Sequence, residues 1–170
     1  MKDTARIVLD WTCNLHCKYC CNNIPRFRSQ FKSVRLGDID FSLYKTVCIT
    51  GGEPLLNPTL ILAVCERVPF NTTTVLYTNG TQLTCMMAAT LAGWGVHALN
   101  IGVHDPRTFE HIIKNTCGCI GALPLAVRFH IQDIYKGTGL EERHPGVAFH
   151  YWTMDECDRD NEDRFVIDWS

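Results

Sequence analysis

Apolar runs alternate with polar, glycine- or proline-punctuated stretches along nearly the whole chain. Six runs, at residues 7–11, 46–50, 74–77, 98–103, 125–131 and 147–152, are rich in Val, Ile, Leu and aromatic residues and poor in charge. Continuous apolar runs of this length suit strands buried on both faces of a parallel sheet. The stretches between them read as helices. Residues 58–68 follow Asn57, a good N-cap, with Pro58 at the first helical position. Residues 84–94 are rich in Ala, Met and Leu and end near Gly93 and Gly95, and residues 106–115 follow Asp105 in the same N-cap and proline arrangement. The stretch 133–146 holds three glycines and a proline and reads as loop.

Strand and helix in regular succession imply crossover connections and an α/β fold with a parallel sheet. Six strands are too few to close an eight-stranded barrel, so a partial (β/α)6 TIM-like barrel is expected, with its chemistry at the C-terminal strand ends. One domain is expected over residues 1–170, its core at roughly 6–152 and a tail at 153–170, with Trp152, Phe165, Val166 and Trp169 covering the lower barrel or forming a dimer contact. At 170 residues and 46% hydrophobic, the chain can bury a core without disulfide staples.

The formal net charge of −2 and the absence of a sustained lysine/arginine block argue against a nucleic-acid-gripping surface. The densest basic stretch, residues 26–35, is broken by aromatic and polar residues and reads as a solvated face. No leader-like apolar segment precedes the first strand, and no run of apolar residues is long enough to span a membrane, so a cytoplasmic protein is expected. Ten cysteines in such a chain point to reduced thiols and a metal site rather than a disulfide framework. Cys48, Cys65 and Cys85 sit in apolar surroundings and read as inert core fillers.

The chemistry concentrates just after predicted strands. The loop 12–22 carries Cys13, Cys17 and Cys20, whose spacing lets three thiolates converge from one tight turn onto one centre. An iron–sulfur cluster with one iron left open, a zinc site completed by Cys21 or His16, and unrelated thiols are all consistent with that spacing. Gly51-Gly52-Glu53-Pro54 follows the second strand. Its glycines let backbone pass close to a ligand, and its carboxylate and carbonyls can accept from an ammonium group. Thr78-Asn79-Gly80 follows the third strand and reads either as a turn or as a ligand-facing edge.

With an aromatic residue, Tyr19, before the last cysteine, Cys-x3-Cys-x2-Cys after the first strand resembles the signature of the radical S-adenosylmethionine (radical SAM) superfamily. Gly51-Gly52-Glu53-Pro54 resembles that family's GGEP motif, and Thr78-Asn79-Gly80 its TNG turn. The resemblance implies a 4Fe–4S cluster on Cys13, Cys17 and Cys20, with S-adenosyl-L-methionine chelated at the open iron. It further implies that the methionine amino group lies against Gly51, Gly52, Glu53 and Pro54, and that the adenine lies near Tyr19. Thr78 and Asn79 would line the cofactor pocket. Cleavage of the cofactor would give a 5′-deoxyadenosyl radical, fed by an electron donor of flavodoxin or ferredoxin type.

Asn100 and His104 end the fourth strand, while Arg128, His130 and Gln132 share one face of the fifth. They are expected to bind cofactor or substrate inside the barrel, with His150, Trp152 and Asp155 as weaker candidates. Cys117, Cys119 and Cys157 raise an auxiliary cluster, for which the chain leaves little room. The small size matches members such as 7-carboxy-7-deazaguanine synthases, which act on pterins, but Asn22 stands where those enzymes place a magnesium-holding threonine. A small-molecule or nucleoside- or pterin-type substrate is therefore expected. Activation of a glycyl-radical enzyme or other protein modification is the alternative, and an inert iron–sulfur or zinc module a remote one. A homodimer could close the barrel mouth.

Overall fold

A computed structural model describes residues 2–18, 20–104, 106–116, 122, 125–145, 147–153 and 161–170. The strands are β1 (Thr4–Val8), β2 (Lys32–Arg35), β3 (Thr46–Thr50), β4 (Thr73–Thr78), β5 (Ala98–Val103), β6 (Ala126–Gln132), β7 (Ala148–Trp152) and β8 (Glu162–Asp168). They form one sheet in the order β2-β8-β1-β3-β4-β5-β6-β7, with every neighbouring pair parallel. The sheet ends at β2 and β7, so the barrel is partial and open.

All six expected strands are present, and two more were missed. The tail expected at 153–170 contains β8, which returns to pair with β1 from Thr4↔Glu162 to Val8↔Val166. Glu162, Asp163, Arg164 and Asp168 hide it from a reading that looks for apolar runs. β2 is a short edge strand with exposed Lys32 and Arg35, charges that discourage further strand pairing. The tail does not hang free: Trp169 Nε1 donates to Leu9 O at 2.8 Å, and Phe165 packs edge-on against Tyr44 at 6.5 Å.

The helices are α1 (Pro25–Arg28), α2 (Pro58–Cys65), α3 (Cys85–Gly93), α4 (Pro106–Asn115) and α5 (Leu140–Arg143). The last of these lies within the stretch expected as loop. Thr84 caps α3 by accepting from Met87 N at 3.1 Å. Asn57 precedes α2 as expected, but its side chain accepts from Thr59 Oγ1 instead of capping the helix. The Asp105 cap lies outside the described residues.

The two faces of the strands differ. Ile7, Ile49, Leu76, Ile101 and Phe129 turn outward, fully buried, into one apolar cluster with Ile61 and Val64 of α2, Leu91 of α3, and Phe109 and Ile112 of α4. Arg6, Thr50, Tyr77, Asn100, His130, Glu162 and Arg164 turn inward onto a cavity. The strands are thus jacketed by helices on one side and enclose a polar lumen on the other. Cys48 is a buried free thiol, and Cys65 is a half-buried one. Cys85, expected as a third inert filler, is disulfide-bonded.

Candidate active site

The loop after β1 and the turn after β3 are built as one unit. Leu9 N donates to Thr50 O at 3.0 Å, Gly52 N to Asp10 O at 2.9 Å, and Glu53 N to Thr12 O at 2.7 Å, so the ladder runs on past the strand ends. This close approach requires glycine. A Cβ on Gly52 would collide with the Thr12 carbonyl, and one on Gly51 with the Asp10 carbonyl. The Asn22 carboxamide bridges the same gap, donating to Gly51 O at 2.7 Å.

A second clasp joins the turns after β3 and β4. Glu53 is 3% exposed and accepts from Thr78 Oγ1 at 2.6 Å, Asn79 N at 2.6 Å and Leu55 N at 2.9 Å. Burial pushes its carboxyl above the usual range, against the pull of those donors. Glu53 was expected to face an ammonium group. The structure instead places it behind the cavity wall with Pro54, binding two turns together, while the Gly51 and Gly52 backbone lines the cavity. A third link runs from the cysteine loop. Asn79 Nδ2 donates to Asn14 Oδ1 at 2.8 Å and lies 3.8 Å from Cys13 Sγ, and Asn14 Nδ2 donates to Thr81 Oγ1 at 2.8 Å.

One cavity of about 230 Å³ gathers most of the expected residues: Cys13, Cys17, Cys20, Gly51, Gly52, Thr78, Asn79, Asn100, His104 and His130. Trp152 lines it too, and the His150 ring lies tilted against that of His130 with centroids 4.9 Å apart. Arg128 is exposed and does not line the cavity, sitting two residues down β6 from His130. Tyr19, Asp155, Cys117, Cys119 and Cys157 lie outside the described residues. The sequence reading missed Arg6, Tyr77, Glu162 and Arg164, which form the inner wall. Arg6 donates to Glu162 through Nε at 2.6 Å and Nη2 at 2.8 Å, and its guanidinium lies 4.7 Å from the Tyr77 ring centroid. Burial works to lower the Arg6 pKa, but the Glu162 hydrogen bonds outweigh it and hold the group charged. The available signal was an arginine alternating with apolar residues in Thr4-Ala5-Arg6-Ile7-Val8.

The donor set fits an iron–sulfur cluster. Cys13, Cys17 and Cys20 are free thiols on one cavity wall. Among the described residues no three His, Cys, Asp or Glu side chains are drawn together tightly enough to hold one metal ion. Three cysteine thiolates are the number that holds a four-iron cube with one iron left open. Leu15 N lies 3.4 Å from Cys13 Sγ, a donor of the kind that stabilises a ligating thiolate. Burial pushes the Cys20 thiol above its usual range, so ionising it calls for a compensating positive charge nearby.

A family model of the radical SAM superfamily matches residues 12–118. The chain belongs to this superfamily, a class of enzymes that use a 4Fe–4S cluster and S-adenosylmethionine. Among individual proteins, it is 34% identical over 131 residues to the GTP 3′,8-cyclase of Microcystis aeruginosa (strain NIES-843 / IAM M-2473); the match covers 66% of this chain and 38% of that protein. The chain thus spans well under half of that relative's length. Similar solved structures share the fold. BtrN in complex with AdoMet and 2-DOIA has a TM-score of 0.57 at 19% identity, covering 91% of this chain and 70% of that one. Coproporphyrinogen III oxidase (HemN) from Escherichia coli, a radical SAM enzyme, has a TM-score of 0.57 at 12% identity, covering 94% and 48%. Among the described residues no helix is long and apolar enough to cross a membrane.

Proposed function

We propose that Cys13, Cys17 and Cys20 hold the 4Fe–4S cluster, and that the cavity beside them is the chamber in which a small nucleoside- or pterin-type substrate loses a hydrogen atom. The observation that carries this reading is the convergence of the three thiols, the Gly51–Gly52 backbone and the Thr78–Asn79 turn on one cavity. Held on Cys13, Cys17 and Cys20, the cluster would supply the one-electron reduction of S-adenosylmethionine on which removal of the substrate hydrogen depends.

The chain's own groups then have separable tasks. The Gly51 and Gly52 backbone lies open to the cofactor's amino group, while Glu53 fixes the turn from behind. Asn79, tied to Asn14 and lying near Cys13, holds the cluster loop against the β4 turn. Asn100, His104 and His130 are assigned to the adenosine and to the substrate side of the chamber, and the motif alone assigns Tyr19 to the adenine.

A small substrate is favoured over a protein by the size of the cavity and by the similarity to a GTP 3′,8-cyclase. The electron comes from a flavodoxin- or ferredoxin-type donor. The test is anaerobic reconstitution followed by dithionite reduction with S-adenosylmethionine, with and without a panel of nucleotides and pterins. About four irons per chain, and 5′-deoxyadenosine formation that a panel member stimulates, are expected. A single bound zinc, or no 5′-deoxyadenosine from a loaded cluster, would refute the reading.

A further inference from the structure

We infer that the outer face of the cysteine loop, together with α1, is the docking surface for an acidic electron-carrier protein. The inference rests on the proposed cluster at Cys13, Cys17 and Cys20, and it says where on the chain that cluster's electron enters.

Charge is unevenly spread along the sequence. Residues 11–37 hold five Lys or Arg and no Asp or Glu, in a chain whose formal net charge is −2. The remainder of the chain is acidic, and the basic stretch is the one that carries the three cysteines. Exposure alternates along the loop: Cys13, Leu15 and Cys17 are half-buried, while Thr12, Asn14, His16 and Lys18 are exposed. Cys13, Leu15, Cys17 and Cys20 line the cavity. The loop thus turns its sulfur side to the cavity and its polar side to solvent. A partner resting on the polar side is one thickness of backbone from the thiols.

α1 continues this surface. Asn23 N donates to Cys20 O and Ile24 N to Cys21 O, both at 3.0 Å, and these turns lead straight into the helix, where Arg26 and Arg28 are exposed. Arg28 is held at both roots of the loop. Its Nε donates to Asn22 O at 2.6 Å, and its guanidinium lies 4.7 Å from the Trp11 ring centroid. A carbonyl and a ring fix the group in place and leave its positive charge uncancelled.

Fixed cations around a site steer an anionic protein to it and set its orientation, raising the rate of encounter more than the affinity. An electron carrier needs that behaviour, because it must dock close to the metal centre and leave again. Small, polar contacts are typical of such encounters. The exposed large hydrophobic side chains among the described residues, Leu43, Leu56, Phe70, Met86 and Trp169, all lie outside residues 11–37. A carrier seated on this face gives up one electron across the loop to the cluster and is itself oxidised by one electron, with no bond or proton changing hands.

The test uses the full chain with its cluster reconstituted anaerobically. The probes are two purified carriers of net negative charge, a flavodoxin and a plant-type ferredoxin. Bleaching of the cluster's visible absorbance by each reduced carrier is followed by stopped flow at low salt and at about 1 M salt, where the screening length is about 3 Å. Lys18→Glu and Arg26→Glu should each slow bleaching by roughly fivefold to tenfold at low salt and converge with wild type at high salt. Calorimetry with the oxidised carriers should show weaker binding in the same variants. The faster carrier identifies the donor's chemistry, flavin or iron–sulfur. Arg67→Glu makes the same charge change at an exposed position beyond the end of α2 and should behave like wild type. Iron content and bleaching by dithionite should be unchanged in all three. If Lys18→Glu loses iron, Arg26→Glu, outside the cysteine loop, decides the question. Equal carrier-driven rates in wild type and iron-replete Arg26→Glu at low salt would overturn the assignment, as would equal slowing by Arg67→Glu. A short RNA bound more tightly than either carrier would give the face to nucleic acid instead. Dithionite with S-adenosylmethionine is run alongside. No 5′-deoxyadenosine there would sink the proposed function and leave the carrier binding readable.

Discussion

Replacing Gly52 with alanine should cost the protein its cluster before it costs the protein its fold. The new Cβ would overlap the Thr12 carbonyl and come 2.7 Å from the Trp11 carbonyl carbon, and both are backbone atoms with no rotamer to yield. Relief requires the segment before Cys13 to move away from the turn after β3. That breaks the Gly52–Asp10 and Glu53–Thr12 hydrogen bonds, at 2.9 and 2.7 Å. Two such bonds are worth about 2 kcal/mol together. The overlap adds a cost of about 1–3 kcal/mol, typical of overpacking. A total of about 3–5 kcal/mol would lower Tm by roughly 6–20 °C in a chain of this size. The assay pairs thermal unfolding by circular dichroism with iron content after anaerobic reconstitution. A control exists in Gly93, where a Cβ meets nothing within 4 Å at the end of α3. Gly93→Ala should keep full iron and gain up to about 1 kcal/mol. If G52A bound iron like wild type with an unchanged Tm, the claim that these two loops form one rigid unit would be wrong.

Three further outcomes follow from single contacts. Glu53→Gln keeps the shape but offers one acceptor oxygen to three donors and sets an amide N–H₂ against another, so it should destabilise the protein by about 1–3 kcal/mol and weaken S-adenosylmethionine binding in equilibrium dialysis. Glu162→Ala strands the Arg6 guanidinium among buried groups and should cost about 3–5 kcal/mol in urea unfolding, more than Glu53→Gln. Burial pushes the Cys65 thiol up to about 11. At pH 8 only about one part in a thousand is then thiolate, so iodoacetamide should label Cys65 far more slowly than a free thiol, with the rate still rising beyond pH 10, as mass spectrometry of the apoprotein would show. A Cys65 labelling rate that levels off below pH 9 would contradict its burial.

The outward face of the sheet was legible in the sequence because burial against helices demands apolar residues, and Ile7, Ile49, Leu76, Ile101 and Phe129 supply them within recognisable runs. The cysteine loop and the glycine turn were legible for a different reason. Gly51-Gly52 and Cys13-x3-Cys17-x2-Cys20 are short, local and tightly constrained by chemistry. What stayed hidden was the inward face of the edge of the sheet. Arg6 and Glu162 stabilise each other across 156 residues of sequence. Neither charge makes sense in a strand until the partner strand is known, so β8 reads as a polar tail. Glu53 shows the limit of a motif: the glutamate is where the pattern puts it, yet its oxygens are committed to Thr78, Asn79 and Leu55, a contact set no local pattern encodes.

An open sheet makes this arrangement possible. A closed eight-stranded barrel of this kind fills its interior with layers of bulky side chains. Here Gly102 contributes no side chain to the lumen, and the Tyr77 and His130 rings meet edge-on with centroids 6.0 Å apart. The space that a full barrel would pack with Val and Leu is left for ligand, and the polar residues around it must satisfy one another instead. The Arg6–Glu162 pair does so at the inner end, and the Glu53 and Asn79 networks do so at the mouth. Both ends are rigid for reasons that involve no ligand, so the cavity between them keeps its shape before anything binds. The distance between the two ends is then set by the length of β1 rather than by the flexibility of a loop.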